Sequence, residues 1–215
     1  MTAPFSLAGA APRRLLADPL CRERLLSALA AAFWAAYAVL YLRRAFVQRS
    51  PLDWGLFLFY SLVVGLFVVR TPARRQAPWP ITALALGSVI WPIVGLAPAP
   101  PLHLPLKVVG DGIRILSLTG MVVAILSLGR SFGIAPADRG LRTGGLYRWL
   151  RHPLYAAELW FYVGYLLGNW SWRNLVVLAV AFILIVLRIR YEEALIEGYA
   201  CYARRVRWRL LPLVW

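Results

Sequence analysis

Residues 52–69 read LDWGLFLFYSLVVGLFVV, with Asp53 the single charged side chain in the run. A bilayer core is crossed by about 20 mostly apolar residues, and this stretch is one of six of that kind. Residues 25–42 precede it. Residues 80–96 (with Pro92 inside), 108–129, 154–168 and 174–187 follow. The whole 215-residue chain is 61% hydrophobic and 15% charged, with a mean hydropathy of +0.66. Soluble domains run close to half apolar and a quarter charged. So much apolar surface excludes both a water-soluble globule and a disordered chain. The expected fold is all-α: a polytopic membrane bundle of about six helices, with an interfacial amphipathic helix at its C-terminal end.

The net charge of +15 would suggest nucleic acid in a soluble protein. In a membrane chain it marks cytoplasmic loops held against anionic lipid heads, so membrane lipids are the expected partners and nucleic acid is not. With both termini cytoplasmic, the outer side holds Arg43, Arg44, Arg49, Lys107, Arg114 and Arg173. The other 18 of the 24 basic residues fall inside. That is the arrangement expected of a multi-pass protein of a bacterial inner membrane. The first apolar run ends on Arg43-Arg44 rather than on small residues, unlike a removable signal peptide. Cys21 and Cys201 form neither a disulfide framework nor a metal pattern, and no metal is expected. The five-residue turn 168–172 predicts that the fifth and sixth spans form an antiparallel helical hairpin.

Residues 1–105 supply three spans and a Pro-rich connection without nameable chemistry. The polar residues that look placed fall in 106–215. The connection between the fourth and fifth spans contains Leu128-Gly129-Arg130-Ser131-Phe132, then Gly144-Gly145-Leu146-Tyr147-Arg148, then Arg151-His152-Pro153-Leu154-Tyr155. Loops of such length are usually functional or disordered, and the interleaved aromatic and apolar residues speak against disorder. Gly144 and Gly145 allow positive φ or close approach to a ligand. A solvated basic loop that only fixes topology would carry similar charges. The sixth span closes on Arg188-Ile189-Arg190-Tyr191-Glu192-Glu193. Arg188 and Glu192 are four apart and can pair on one face, while Glu193 lies about 100° further round. An interfacial salt bridge is the plainer account of the pair. In the tail, Tyr199, Tyr202 and Val206 recur at helical spacing with arginines opposite, the pattern of an interfacial helix.

In this order, the five pieces resemble the isoprenylcysteine carboxyl methyltransferase family of integral-membrane enzymes. The likeness covers 106–215, as a methyltransferase-like core after the three N-terminal spans. It implies S-adenosylmethionine as cofactor and a lipophilic acceptor. It also implies Arg188, Glu193 and His152 as catalytic residues, and Gly145, Leu146, Tyr147, Arg151, His152, Tyr155, Glu192 and Glu193 around the cofactor. Leu118, Val122, Leu159 and Trp160, from the fourth and fifth spans, are the apolar side chains expected beside the acceptor. The segment between Glu193 and Tyr199 is shorter than the family's by about one turn, and Ala156 and Ala157 stand where glycine is frequent. Two other classes share part of the pattern. Membrane sterol reductases, which bind NADPH, have an Arg-His-Pro-x-Tyr element followed by a glutamate, here Glu158. They usually carry asparagine where this chain has Leu154. A non-catalytic membrane protein would keep the same residues for structure alone.

Overall fold

The computed structural model describes residues 19–212 and 214–215, with backbone alone for Pro19, Leu20 and Arg22. Arg13 and Arg14, assigned above to the cytoplasmic side, lie outside the described residues. Seven α-helices are present among them: α1 Pro19–Gln48, α2 Pro51–Val69, α3 Trp79–Gly95, α4 Leu104–Leu128, α5 Pro153–Gly168, α6 Trp172–Leu195 and α7 Tyr199–Arg205. Each apolar run has become one helix. Four are long and apolar enough to cross a bilayer. At 1.5 Å per residue, α3 (17 residues) and α5 (16 residues) reach only about 25 Å.

The breaks follow local chemistry. Arg49 takes φ 50°, and Ser50 then caps α2, accepting from the Asp53 N–H at 3.4 Å with Pro51 in the first turn. Gly129, at φ 54°, ends α4. Pro153 opens α5, and Ser171 caps α6 through the Asn174 N–H at 3.1 Å. α6 runs two turns beyond its apolar stretch, so Arg188, Glu192 and Glu193 are all helical.

α1 packs along α2, α2 against α4, α4 along α5, and α3 along α6. α4 and α5 cross where Gly110 meets Gly164. A Cβ on Gly164 would fall 2.6 Å from the Gly110 carbonyl oxygen, so only glycine permits this approach. The expected α5–α6 hairpin forms only in part. The two helices share a small cluster of Tyr155, Ala156, Ile185 and Ile189, but their main partners are α4 and α3. The short turn fixes their ends without drawing their lengths together. Buried Asn174 instead pins the start of α6 to the Pro-rich link, donating to Ala97 O (2.9 Å) and accepting from its N–H (3.1 Å).

Residues 129–152 are anchored at one end of the bundle. A two-residue antiparallel ladder pairs Arg75–Gln76 (β1) with Ala137–Asp138 (β2). Arg139 donates to Glu23 of α1 at 2.6 Å and to Thr71 O at 3.1 Å. Arg70, beside these charges, has its pKa lowered to about 10, chiefly by burial and then by Arg139. The chain between α4 and α5 is therefore a tethered cover, although residues 142–145 and 148–149 within it stay exposed.

Candidate active site

The cover and the tail meet over the ends of α5 and α6. The backbone of 208–209 runs beside 151–152, with Trp208 O accepting from Arg151 N–H (2.8 Å) and Arg209 O from His152 N–H (3.0 Å). The Arg151 guanidinium caps the end of α7 through Ala203 O (2.8 Å) and Val206 O (2.7 Å). The Tyr202 hydroxyl donates to Tyr147 O at 2.6 Å. Burial pushes the phenols of Tyr147, Tyr199 and Tyr202 up, Tyr202 to about 12, so all three remain neutral donors at physiological pH. The apolar face of α7 (Tyr199, Tyr202), with Val206 just past its end, is turned inward against Leu141 and Ile196.

Glu193 is the hub of this region. Its carboxylate accepts a fork of bonds from Arg209 (2.9–3.2 Å) and one from Tyr199 OH (3.2 Å). It also meets His152 Nε2 at 3.2 Å and lies 3.5 Å from Arg151. The fork raises the pKa of Arg209, whose guanidinium also stacks on Trp215 at 5.2 Å. His152 is buried between the rings of Tyr155 and Tyr199, at centroid distances of 5.5 and 6.2 Å.

Glu192 turns the other way and takes the Tyr155 hydroxyl at 2.7 Å. The Arg188–Glu192 pair expected from the spacing does not form. Tyr155 stands between them, its hydroxyl on Glu192 and its ring 4.7 Å from the Arg188 guanidinium. Arg188, itself buried, donates to Ser88 Oγ (3.4 Å) and to Ile134 O.

Two hollows adjoin here. The first is a pocket under the cover, lined by Tyr147, Arg151, His152, Leu154, Tyr155, Glu192, Tyr199 and Tyr202, together with Arg139 and Arg142. The second is a cavity of about 680 Å³ among α1–α6. Leu154 and Tyr155 line both and form the partition between them.

Of the residues expected around the cofactor, Tyr147, Arg151, His152, Tyr155 and Glu192 line the pocket, whereas Gly145, Leu146 and Glu193 do not. Gly145 has φ 58° and abuts Ser127, so it serves the turn and its seating on α4. Arg188 faces the cavity. The four residues expected beside the acceptor are all outside the cavity lining. Leu118 and Val122 belong to the core with α2, Leu159 packs in the α5–α6 cluster, and Trp160 is exposed. On α5 the cavity is lined instead by Glu158, Phe161, Tyr162 and Tyr165, and on α4 by Arg114, Met121 and Ile125. Hydropathy alone selects faces turned to lipid or core, whereas this cavity mixes aromatic and ionisable side chains with aliphatic ones such as Leu56, Val63 and Ile125. The N-terminal helices contribute Trp34, Tyr37, Tyr41 and Tyr60, a clustering of aromatics over two helices that was visible in the sequence. Arg209 was also missed, because nothing in its spacing points to Glu193.

A family model described as phospholipid methyltransferase matches residues 104–200. Among solved structures, the chain is similar to the eukaryotic intramembrane Ras methyltransferase, isoprenylcysteine carboxyl methyltransferase. Identity is 21% and the TM-score 0.51, over 85% of this chain and 75% of that one. The chain folds like an isoprenylcysteine carboxyl methyltransferase. No curated protein matches it in sequence. The family match begins with α4 and so contains the cover and both faces of the Leu154–Tyr155 partition. The structural likeness takes in most of the N-terminal helices as well.

Proposed function

We propose that the protein is a membrane methyltransferase that binds S-adenosylmethionine in the pocket and a lipophilic acceptor in the cavity. The observation that carries this reading is the partition: a polar pocket and a large intramembrane cavity share Leu154 and Tyr155.

The pocket's donor set suits this cofactor. Glu192 has a single protein partner, the Tyr155 hydroxyl, and can accept from an ammonium or from ribose hydroxyls. Arg142, engaged only through Nε on Ser131 Oγ (3.0 Å), supplies a cationic donor for a carboxylate. Leu128, Leu141 and Ile196 form an apolar side for the base, and the tyrosine rings favour a nearby cation. When bound, the cofactor supplies an electrophilic methyl group. The chain's own part is to align the acceptor at the partition and to exclude water. His152 and Glu193 bind each other, Tyr199 and Arg209, and act by holding this wall in place. On the cavity side, Glu158, hydrogen-bonded to Tyr162 at 2.8 Å, is the carboxylate placed to take a proton from an acceptor that carries one.

Calorimetry on the purified protein in lipid nanodiscs tests the reading. S-adenosylmethionine is expected to bind, NADPH is not, and Glu192→Gln is expected to weaken binding by roughly tenfold, the loss of one charge-assisted hydrogen bond. NADPH binding without S-adenosylmethionine binding would replace it with the reductase reading.

A further inference from the structure

Among the described residues, three buried side-chain donors lack a hydrogen-bond partner: Trp34 Nε1, Arg114 Nε and Arg188 Nε. All three residues line the same cavity. Every unpaired atom in this set is a donor, which selects for a ligand that brings acceptor oxygens. Charge points the same way. Arg44, Lys107, Arg114 and Arg188 face Asp53, Asp111 and Glu158 across the cavity, an excess of one cation.

That excess sits at the end remote from the cover. Arg44 pairs with Asp53 at 3.4 Å, while Lys107 (2.8 Å) and Arg114 (3.2 Å) share the single carboxylate of Asp111. Arg114 is held in place as well as charged. Its guanidinium lies 5.1 Å from the Phe161 ring centre and 5.3 Å from that of Tyr165. Its stem crosses α5 at Gly164, where a Cβ would come within 2.8 Å of Arg114 Cγ. Tyr155, beneath Arg188, and Tyr165, beside Arg114, are ten residues apart on α5, or about 15 Å along its axis.

Building on the acceptor cavity proposed above, we infer that Arg114 forms a second polar subsite. It takes an oxyanion, carboxylate or phosphate, borne on the end of the acceptor remote from the group that is methylated. The acceptor is then a bipolar lipophile: one oxygen-bearing end at Arg188 beside the partition, an apolar middle among the aromatic rings, and a second anionic end at Arg114. A phosphate of a separate lipid inserted at the far end would offer the same chemistry to Arg114.

The test uses the full chain in nanodiscs, titrated with dodecanedioate and with dodecanoate. Wild type is expected to bind the diacid roughly tenfold more tightly, the value of one added charge-assisted contact. Arg114→Leu is expected to abolish that preference, bringing the two ligands to equal affinity, and Arg114→Lys, which keeps the charge, to retain part of it. Thermal melting of both variants checks that they fold. Equal affinities in the wild type, or a preference that survives Arg114→Leu, overturns the proposal. Equal affinities with a co-purifying phospholipid that Arg114→Leu releases would assign the oxyanion to a separate lipid and overturn the bipolar acceptor. Loss of S-adenosylmethionine binding with the diacid preference intact would remove the methyltransferase reading and leave the subsite standing.

Discussion

The pocket under the cover and the cavity between the helices are built on opposite principles, although one pair of residues separates them. Around the pocket nearly every polar side chain is occupied by another: Glu193 alone holds contacts from His152, Tyr199, Arg209 and Arg151. Around the cavity, Trp34, Arg114 and Arg188 each retain an unpaired donor, beside the ion pairs of Arg44 with Asp53 and of Lys107 and Arg114 with Asp111. The first arrangement is rigid and suits one ligand of fixed shape. The second leaves its donors to be satisfied by whatever enters.

The contrast ranks the effects of substitution. The largest is expected at Glu193. Glu193→Gln removes the charge from a half-enclosed hub with two arginines around it, and breaking such a pair costs about 3 kcal/mol. A lowered melting temperature and loss of S-adenosylmethionine binding are expected together. If the variant melts like wild type, the rigid-pocket half of the contrast fails. Tyr155→Phe comes next. It deletes the 2.7 Å bond to Glu192 but keeps the ring against Arg188, so methyl transfer should fall by roughly tenfold, about one hydrogen bond to a charged group. Stability should change little, and an acceptor KM that rises in proportion to the lost rate would place the hydroxyl on the wrong side of the partition. The smallest effect is expected at Trp160, exposed and outside the cavity lining. Trp160→Ala should leave acceptor KM unchanged within a factor of about two, and a marked rise would restore the lateral entrance anticipated from hydropathy.

The two regions also differ in how far the sequence discloses them. The number and order of the helices were legible because each apolar run is long, although α1 extends six residues past its run at either end and α6 two turns past its own. The pocket was legible in large part, since its residues fall in short motifs around Tyr147, His152, Tyr155 and Glu192. The role of Glu193 was harder to see: its partner Arg209 comes from a segment that folds back beside residues 151–152, and helical phase alone cannot show that. The cavity was legible least. Its lining is assembled from six helices scattered along the chain, and which face of α4 or α5 looks inward depends on the Gly110–Gly164 crossing. Choosing the most apolar residues of those helices led to Leu118, Val122, Leu159 and Trp160, which serve the core and the exterior. The inward face carries Glu158, Tyr162 and Arg114.

Transfer of a labelled methyl group tests the central claim most directly. Purified protein in nanodiscs, given S-adenosylmethionine labelled in its methyl group, is offered a membrane lipid extract and, separately, an aqueous metabolite extract. The account predicts label in the lipid fraction, reduced roughly tenfold in Glu192→Gln at cofactor concentrations below the dissociation constant. Label confined to water-soluble products, or lipid labelling unchanged in Glu192→Gln under those conditions, would contradict it.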